Sequence, residues 1–402
     1  MRAFARWYND MEAGRLAFQA VKYQSRDGWS HRDILRKSHP VATSTQHQAI
    51  YHWMVKGWDD VGETPHPDLV LATIWAFERA KRLKTRADVA DLCALITEYG
   101  LPHECVPTEM KQHPEVWEAL LPQMGMTALL RSLAKMTEVG LLAPMSAAEA
   151  LVVSRLSKAE ALRTARVHPL ALLVALKTYA QGHGERGKLR WQPRQKIVDA
   201  LDRAFYLSFQ TLVPTGARTL LAIDVSGSMA GPPIAGMPGI TPRVGSAAMA
   251  LVTAAVEPHH EIVAFTNGTY PSRWQGYGSG ISPLAVSPHM RLDQVVQKVS
   301  DLPFGGTDCA LPMLWAADNK LPFDIFCVYT DSETWAGAVH PAQALQTYRQ
   351  KMGIAAKLVV VGMVSNEFSI ADPHDTGMLD VVGFDTATPS LIADFATQTW
   401  TA

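Results

Sequence analysis

Leu220 to Met229 reads LLAIDVSGSM. The apolar run from Thr219 to Ile223 has the composition of a buried strand, and it empties into Asp224. Ser226 and Ser228 follow at alternate positions with Gly227 between them, so one tight loop carries three oxygen groups. Carboxylate and hydroxyl oxygens suit a hard divalent cation such as magnesium, which prefers an octahedral shell and keeps several waters. Two later stretches supply more of the same chemistry. In Gly305-Gly306-Thr307 the glycines permit close backbone approach and Thr307 adds a hydroxyl, and Asp331 closes the apolar run IFCVYT. In a competing reading, the serines cap the following helix and Asp331 opens a turn.

Around this loop the sequence alternates short apolar strands with helical stretches. Strands are expected at Thr219–Ile223, Glu261–Phe265, Ile325–Tyr329, Leu358–Gly362 and Val381–Phe384. Helices are expected at Arg243–Val256, Arg291–Leu302, Pro341–Gly353 and Ser390–Gln398. That alternation specifies a doubly wound, mostly parallel sheet, in which ligands sit beyond the strand C-termini at the topological switch. Asp224, Thr307 and Asp331 are expected to converge there. The stretches Gly231–Pro242 and Gly276–Gly280 read as surface excursions; the second does not open a helix after a strand and makes a poor phosphate cradle.

Ahead of Pro214 the period is helical. Leu69–Leu83 follows Pro65 and Pro67 with Asp68 placed to cap it; Met126–Leu142 and His168–Gly182 repeat the pattern, the latter ending on a glycine. Two domains follow, residues 1–213 all-α and residues 214–402 α/β. The net charge of −1 conceals a division: residues 1–215 carry +6 and the remainder −7. A polyanion would dock on the first part, and a cation on the second.

Other classes are excluded by composition. At 402 residues and 48% apolar content the chain builds large cores. It has no run of about 18 uncharged apolar residues, and MRAFARWYND lacks the apolar centre of a signal peptide. A cytoplasmic protein without membrane contact is therefore expected. Cys93, Cys105, Cys309 and Cys327 show no CxxC spacing, which argues against structural zinc or a disulfide framework.

Lys22 to Pro40, KYQSRDGWSHRDILRKSHP, concentrates cations. Lys22 and Arg26 stand four apart on what reads as the end of one helix, Asp27-Gly28 makes a turn, and Ser30 with Asp33 forms a capping box. The next helix carries Arg32, Arg36 and Lys37 and stops at His39-Pro40. Such a cluster suits phosphate, with Tyr23 and Trp29 available to stack on an unpaired base. The HRD at His31–Asp33 is not a kinase catalytic loop: Ser38 stands where that motif has Asn, and no glycine-rich loop or DFG accompanies it. A second basic loop, His183–Trp191, bears Arg186, Lys188 and Arg190.

The trio Asp224-x-Ser226-x-Ser228, Thr307 and Asp331 resembles the metal-ion-dependent adhesion site of von Willebrand factor A domains. In that family the serines and threonine touch the ion and the aspartates act mostly through water. Together with Lys22–Pro40, MVKGW (Met54–Trp58), Val116–Thr137 and Arg166–Trp191, the whole chain resembles the Ro ribonucleoprotein family, of bacterial or phage type. The resemblance implies a HEAT-like helical-repeat TROVE module joined to a von Willebrand factor A domain. It implies single-stranded ends of misfolded small RNAs in a helical ring, Y RNA on the outer basic surface, RNA quality control, and an exoribonuclease partner. By motif position, Lys22, Arg26 and His39 match family residues implicated in Y RNA binding. The family has further helices ahead of the segment matching Arg6-Trp7-Tyr8, where this chain begins. A ring left open, closed by self-association, or closed by the A domain are the alternatives.

No base stands near Ser226 in sequence, GxSxG and Walker motifs are missing, and one aspartate per loop carries too little charge for a two-metal nuclease. A non-enzymatic RNA-binding protein is expected. A metal-dependent interaction scaffold and a metal-dependent hydrolase acting on RNA are the rival classes.

Overall fold

The computed structural model describes residues 2–58, 61–184, 187–267, 280–302, 305–331, 334, 337–364 and 370–398. They form two compact units, residues 1–152 with 189–194 and residues 153–188 with 195–402. The helices Pro169–Ala180 and Gln195–Leu207, which fall within the span 1–213 expected to be the helical module, thus group with the sheet. No described helix is long and apolar enough to cross a membrane.

The first unit is helical apart from one small hairpin. Its opening elements are α1 (Arg2–Asp10), α2 (Ala13–Lys22), β1 (Ser25–Arg26), β2 (Trp29–Ser30), α3 (His31–Ser38), α4 (Thr45–Lys56) and α5 (Leu69–Ala80). Glu12 caps α2 by accepting from Gly14 N and Arg15 N at 2.8 Å each. Behind that cap Ala13, Leu16, Ala17, Ala20 and Val21 recur at threes and fours, and this buried stripe packs on α4 and α5. Asp68 caps α5 as its position in sequence indicates, accepting from Val70 N at 2.9 Å and Leu71 N at 3.2 Å. The expected helix at Met126–Leu142 ends earlier, at Glu138, because Gly140 turns the chain at φ +86°.

The second unit carries a six-stranded sheet. In chain order the strands are β3 (Thr219–Asp224), β4 (His260–Phe265), β5 (Ile281–Pro283), β6 (Ile325–Thr330), β7 (Lys357–Gly362) and β8 (Met378–Val382). Their spatial order is β5-β4-β3-β6-β7-β8, parallel throughout except for β5, which runs antiparallel to β4. Every residue of β3 and β6 is buried, as expected for strands covered on both faces. Ile223 pairs with Ala264 on one side and Tyr329 on the other. Because β4 and β6 flank β3 on opposite sides, the C-terminal end of β3 is the topological switch.

Four expected strands lie within a residue or so of their observed bounds. The last expectation, Val381–Phe384, is displaced: the strand is Met378–Val382, cut off by Gly383 at φ +83°. Among the described strands and α-helices after Pro214, two have no counterpart in the sequence reading. These are β5, three residues long and ending in Pro283, and the helix Leu311–Asp318, whose apolar residues surround its axis and show no single-faced period. Residues 276–279 of the glycine-rich stretch lie outside the described residues.

Candidate functional sites

At the end of β3 the Asp224 side chain is fully buried, and its partners come from its own loop, the loop carrying Thr307 and the end of β6. Oδ1 accepts from Ser226 N at 2.7 Å, which fixes the loop, and Oδ2 accepts from Thr330 Oγ1 at 2.8 Å and Thr307 Oγ1 at 3.3 Å. Burial pushes the Asp224 carboxyl up to about 6, opposed by the Ser226 and Thr330 donors and assisted by the nearby Asp331 charge. The turn Gly227–Ala230 follows, but Ser226 makes no side-chain cap there. Its Oγ lies 3.0 Å from Ser228 Oγ instead.

The site's other wall is held by backbone. Thr266 Oγ1 donates to Gly306 O at 3.0 Å, and Asn267 Oδ1 accepts from Gly306 N at 3.1 Å. A Cβ on Gly305 would collide with both side chains, so glycine is required there by close approach. Thr307 is buried, and Asp331 follows directly on β6 with its Oδ1 buried and without a hydrogen-bond partner. Arg243 on the helix Pro242–Val256 donates from Nη2 to Ser226 O at 3.3 Å.

These residues fit a small hard cation. Adjacent oxygens in an octahedral shell of radius about 2.0–2.1 Å are about 3 Å apart, and the two serine hydroxyls stand 3.0 Å apart. The orphaned buried oxygen of Asp331, whose charge acts on Asp224, is the kind of atom a cation or its water satisfies. Among the described residues no group of three or more His, Cys, Asp or Glu side chains could hold a metal ion; the donor set here is hydroxyl-rich. The structure brings together Asp224, Ser226, Ser228 and Thr307, with Asp331 close enough to act on Asp224. Thr330 was missed in sequence, where it reads as the last residue of a strand and nothing marks its hydroxyl as pointing at Asp224.

In the first unit the hairpin β1–β2 pairs Arg26 with Trp29 and Ser25 with Ser30. Asp27 at φ +50° and Gly28 at φ +80° form its two-residue turn, the left-handed geometry that Asp-Gly favours. Lys22 and Arg26 are not on one helix: α2 stops at Lys22 and Arg26 belongs to β1, because the hairpin takes over the chain. The capping box is present, with Asp33 N donating to Ser30 Oγ at 3.3 Å and Ser30 N to Asp33 Oδ2 at 3.0 Å. Those Ser30 bonds hold the Asp33 carboxyl below its ordinary range.

Arg26, Arg32, Arg36, Lys37 and His39 are all exposed, the Arg26 side chain to 80%. His39 ends α3 in the left-handed region at φ +47°. Lys22 is half-buried, its Nζ 5.1 Å from the Tyr23 ring centroid, and Lys37 Nζ lies 5.5 Å from that of Trp29. Tyr23 and Trp29 remain 41% and 49% exposed, so aromatic surface stands among the cations. Of the carboxylates in this segment, Asp27 lies 3.9 Å from Arg26 and Asp33 is engaged by Ser30. Of the second basic loop, Lys188 is exposed and belongs to the second compact unit, while Arg186 lies outside the described residues.

The sequence matches the Ro60 vWA domain over residues 218–396 and the TROVE domain over residues 102–178. It is 44% identical over 396 residues to the RNA-binding protein RO60 of Deinococcus radiodurans, across 98% of this chain and 71% of that protein. It is 36% identical over 434 residues to the RNA-binding protein RO60 of Caenorhabditis elegans, across 98% of this chain and 65% of the relative. The crystal structure of the Deinococcus radiodurans RO (RSR) protein superposes with a TM-score of 0.85 at 44% identity, covering 98% of this chain and 76% of that one.

Proposed function

Because the chain belongs to the Ro family, in which a TROVE domain accompanies a von Willebrand factor A domain, we propose that it is a non-enzymatic protein that binds small RNA through the surface from Lys22 to His39. The observation that carries this reading is the exposure of Arg26, Arg32, Arg36, Lys37 and His39 around one hairpin and one helix, with aromatic rings between them. Cations on rigid elements hold phosphates, and exposed rings take unpaired bases. Two relatives carry the name RNA-binding protein, in line with this assignment.

The RNA is of the Y-like or misfolded small non-coding kind, the role is RNA quality control or processing in the cytoplasm, and an exoribonuclease is the expected partner. Lys188 and Arg186 are further candidate RNA contacts in this reading. Self-association is a further expectation of it. In the A domain Ser226, Ser228 and Thr307 would hold a divalent cation, with Asp224 and Asp331 as its water-mediated and orienting neighbours. When bound, magnesium supplies an open coordination position for a partner's carboxylate.

The experiment is a binding titration with a structured small RNA at low salt. Wild type retains the RNA, and Lys22→Ala/Arg26→Ala binds it far more weakly, with the difference shrinking as salt rises. No retention by wild type at low salt would sink the assignment. RNA shortening that requires magnesium and Asp224 would replace it with an enzyme.

A further inference from the structure

The geometry points to a second nucleotide subsite, where the C-terminal end of α4 separates two clefts: the first takes a phosphate and the second an unpaired base of single-stranded RNA. This rests on the RNA-binding reading and narrows the ligand class within it.

The first cleft, of about 340 Å³, is lined by Ser30, Arg32, Lys56, Glu78 and Lys81 among others. Its three cations face one carboxylate, and that carboxylate is already engaged. Glu78 Oε1 accepts from Trp53 Nε1 at 2.9 Å and Oε2 from Lys81 Nζ at 2.8 Å. Arg32 and Lys56 are exposed and form no ion pair among the described residues. Among the described residues the lining thus carries two cations beyond the Lys81–Glu78 pair, which draws a phosphate, and a phosphate between two side chains is a stronger attachment than one on a flat surface.

The second cleft, of about 520 Å³, is lined by His52, Trp58, Thr64, His66 and Trp75 among others. Trp58 and His66 are stacked there, their ring centroids 5.9 Å apart and planes at 23°. Gly57 lines both clefts. It holds φ +79° and ψ −173°, a conformation reserved to glycine, although a Cβ would meet nothing within 4 Å. The backbone constraint therefore serves the path of the chain and not local packing: it carries Trp58 off the helix end and into the second cleft. Phosphate and base then lie on either side of a single residue, the alternation a single strand presents. A duplex keeps its base faces stacked and offers nothing to the Trp58–His66 pair.

Fluorescence anisotropy with an unstructured single-stranded RNA oligonucleotide and with a blunt RNA hairpin, closed by a tetraloop whose bases are stacked on one another, tests this. The proteins compared are wild type, Lys56→Ala, Trp58→Ala, Trp58→Phe and Arg26→Ala/Arg36→Ala. Trp58→Ala is expected to weaken the single-stranded probe about tenfold, with Trp58→Phe retaining most of the affinity. Lys56→Ala is expected to lower the slope of log K against log salt by about 0.7. Neither changes hairpin binding. Wild-type affinity of Lys56→Ala and Trp58→Ala for the single strand, with hairpin binding lost in Arg26→Ala/Arg36→Ala, overturns the subsite and leaves the RNA reading standing. Equal loss of both probes in Trp58→Ala with a lowered melting temperature also overturns it, as an effect on the fold. Failure of wild type to bind either probe removes both readings together.

Discussion

Replacing Arg26 and Arg36 by alanine should weaken RNA binding in a way whose salt dependence is fixed in advance. Both side chains are exposed and neither contributes to the buried face of its element, so the substitutions should change stability by no more than about 0.5 kcal/mol. Each phosphate contact contributes about 0.7 to 0.9 to the slope of log K against log salt, the lower figure for single strands. Losing two contacts lowers the slope by about 1.4 to 1.8. Taking 1 M salt as the point where the two proteins bind alike, affinity falls about 25- to 60-fold at 0.1 M and only about 5- to 9-fold at 0.3 M. Anisotropy titrations at several monovalent salt concentrations between these limits read both numbers, and thermal melts confirm that the fold is intact. A loss that is the same at every salt concentration refutes the argument, since it would come from geometry and not from charge. So would an unchanged slope.

Other outcomes follow from the second unit. His168 caps the helix Pro169–Ala180 by accepting from Leu170 N at 3.2 Å, and burial pushes its imidazole down to about 4. The unfolded chain takes up this proton below about pH 6.5 and the folded one does not until about pH 4, so stability falls as pH drops through that window. Between pH 7.5 and 4.5 wild type should lose on the order of 2 kcal/mol more than His168→Asn, which keeps a capping acceptor and does not titrate; parallel urea midpoints for the two proteins would contradict this. Thr330→Val removes the 2.8 Å bond to Asp224 and should cost about 1 to 3 kcal/mol in urea denaturation; a neutral result means the hydroxyl does not hold the carboxylate. Magnesium at a hundred times its dissociation constant should stabilise the protein by about 2.7 kcal/mol. A melting-temperature rise reads this, and the rise should vanish in Asp331→Ala; a rise of the same size in that variant places the ion elsewhere.

Much of this architecture was legible because its signals are local. Asp68 before α5, Ser30 with Asp33 at α3 and Asp27-Gly28 in the hairpin act on backbone groups within four residues, and each does so in the structure. The buried strands β3 and β6 announce themselves by unbroken apolar runs ending in an aspartate or the residue before one. What sequence could not show depends on partners far along the chain. Thr330 reaches Asp224 across 106 positions, and Trp53 reaches Glu78 only once α4 and α5 pack. The helix Leu311–Asp318 is apolar all round because neighbours cover it on several sides, so it lacks the period that betrays a half-exposed helix. The Asp27-Gly28 turn is legible, but spacing alone puts Arg26 on the helix ahead of it and does not show that the turn joins two strands.

The hydrogen bonds around Asp224 also fix the direction of two hydroxyl protons. Thr307 and Thr330 each give their hydroxyl hydrogen to the same carboxylate oxygen, which leaves only electron pairs facing away from it. Neither hydroxyl hydrogen is then free for another acceptor, and the two donors replace at the buried end of β3 the hydration that this carboxylate oxygen has lost.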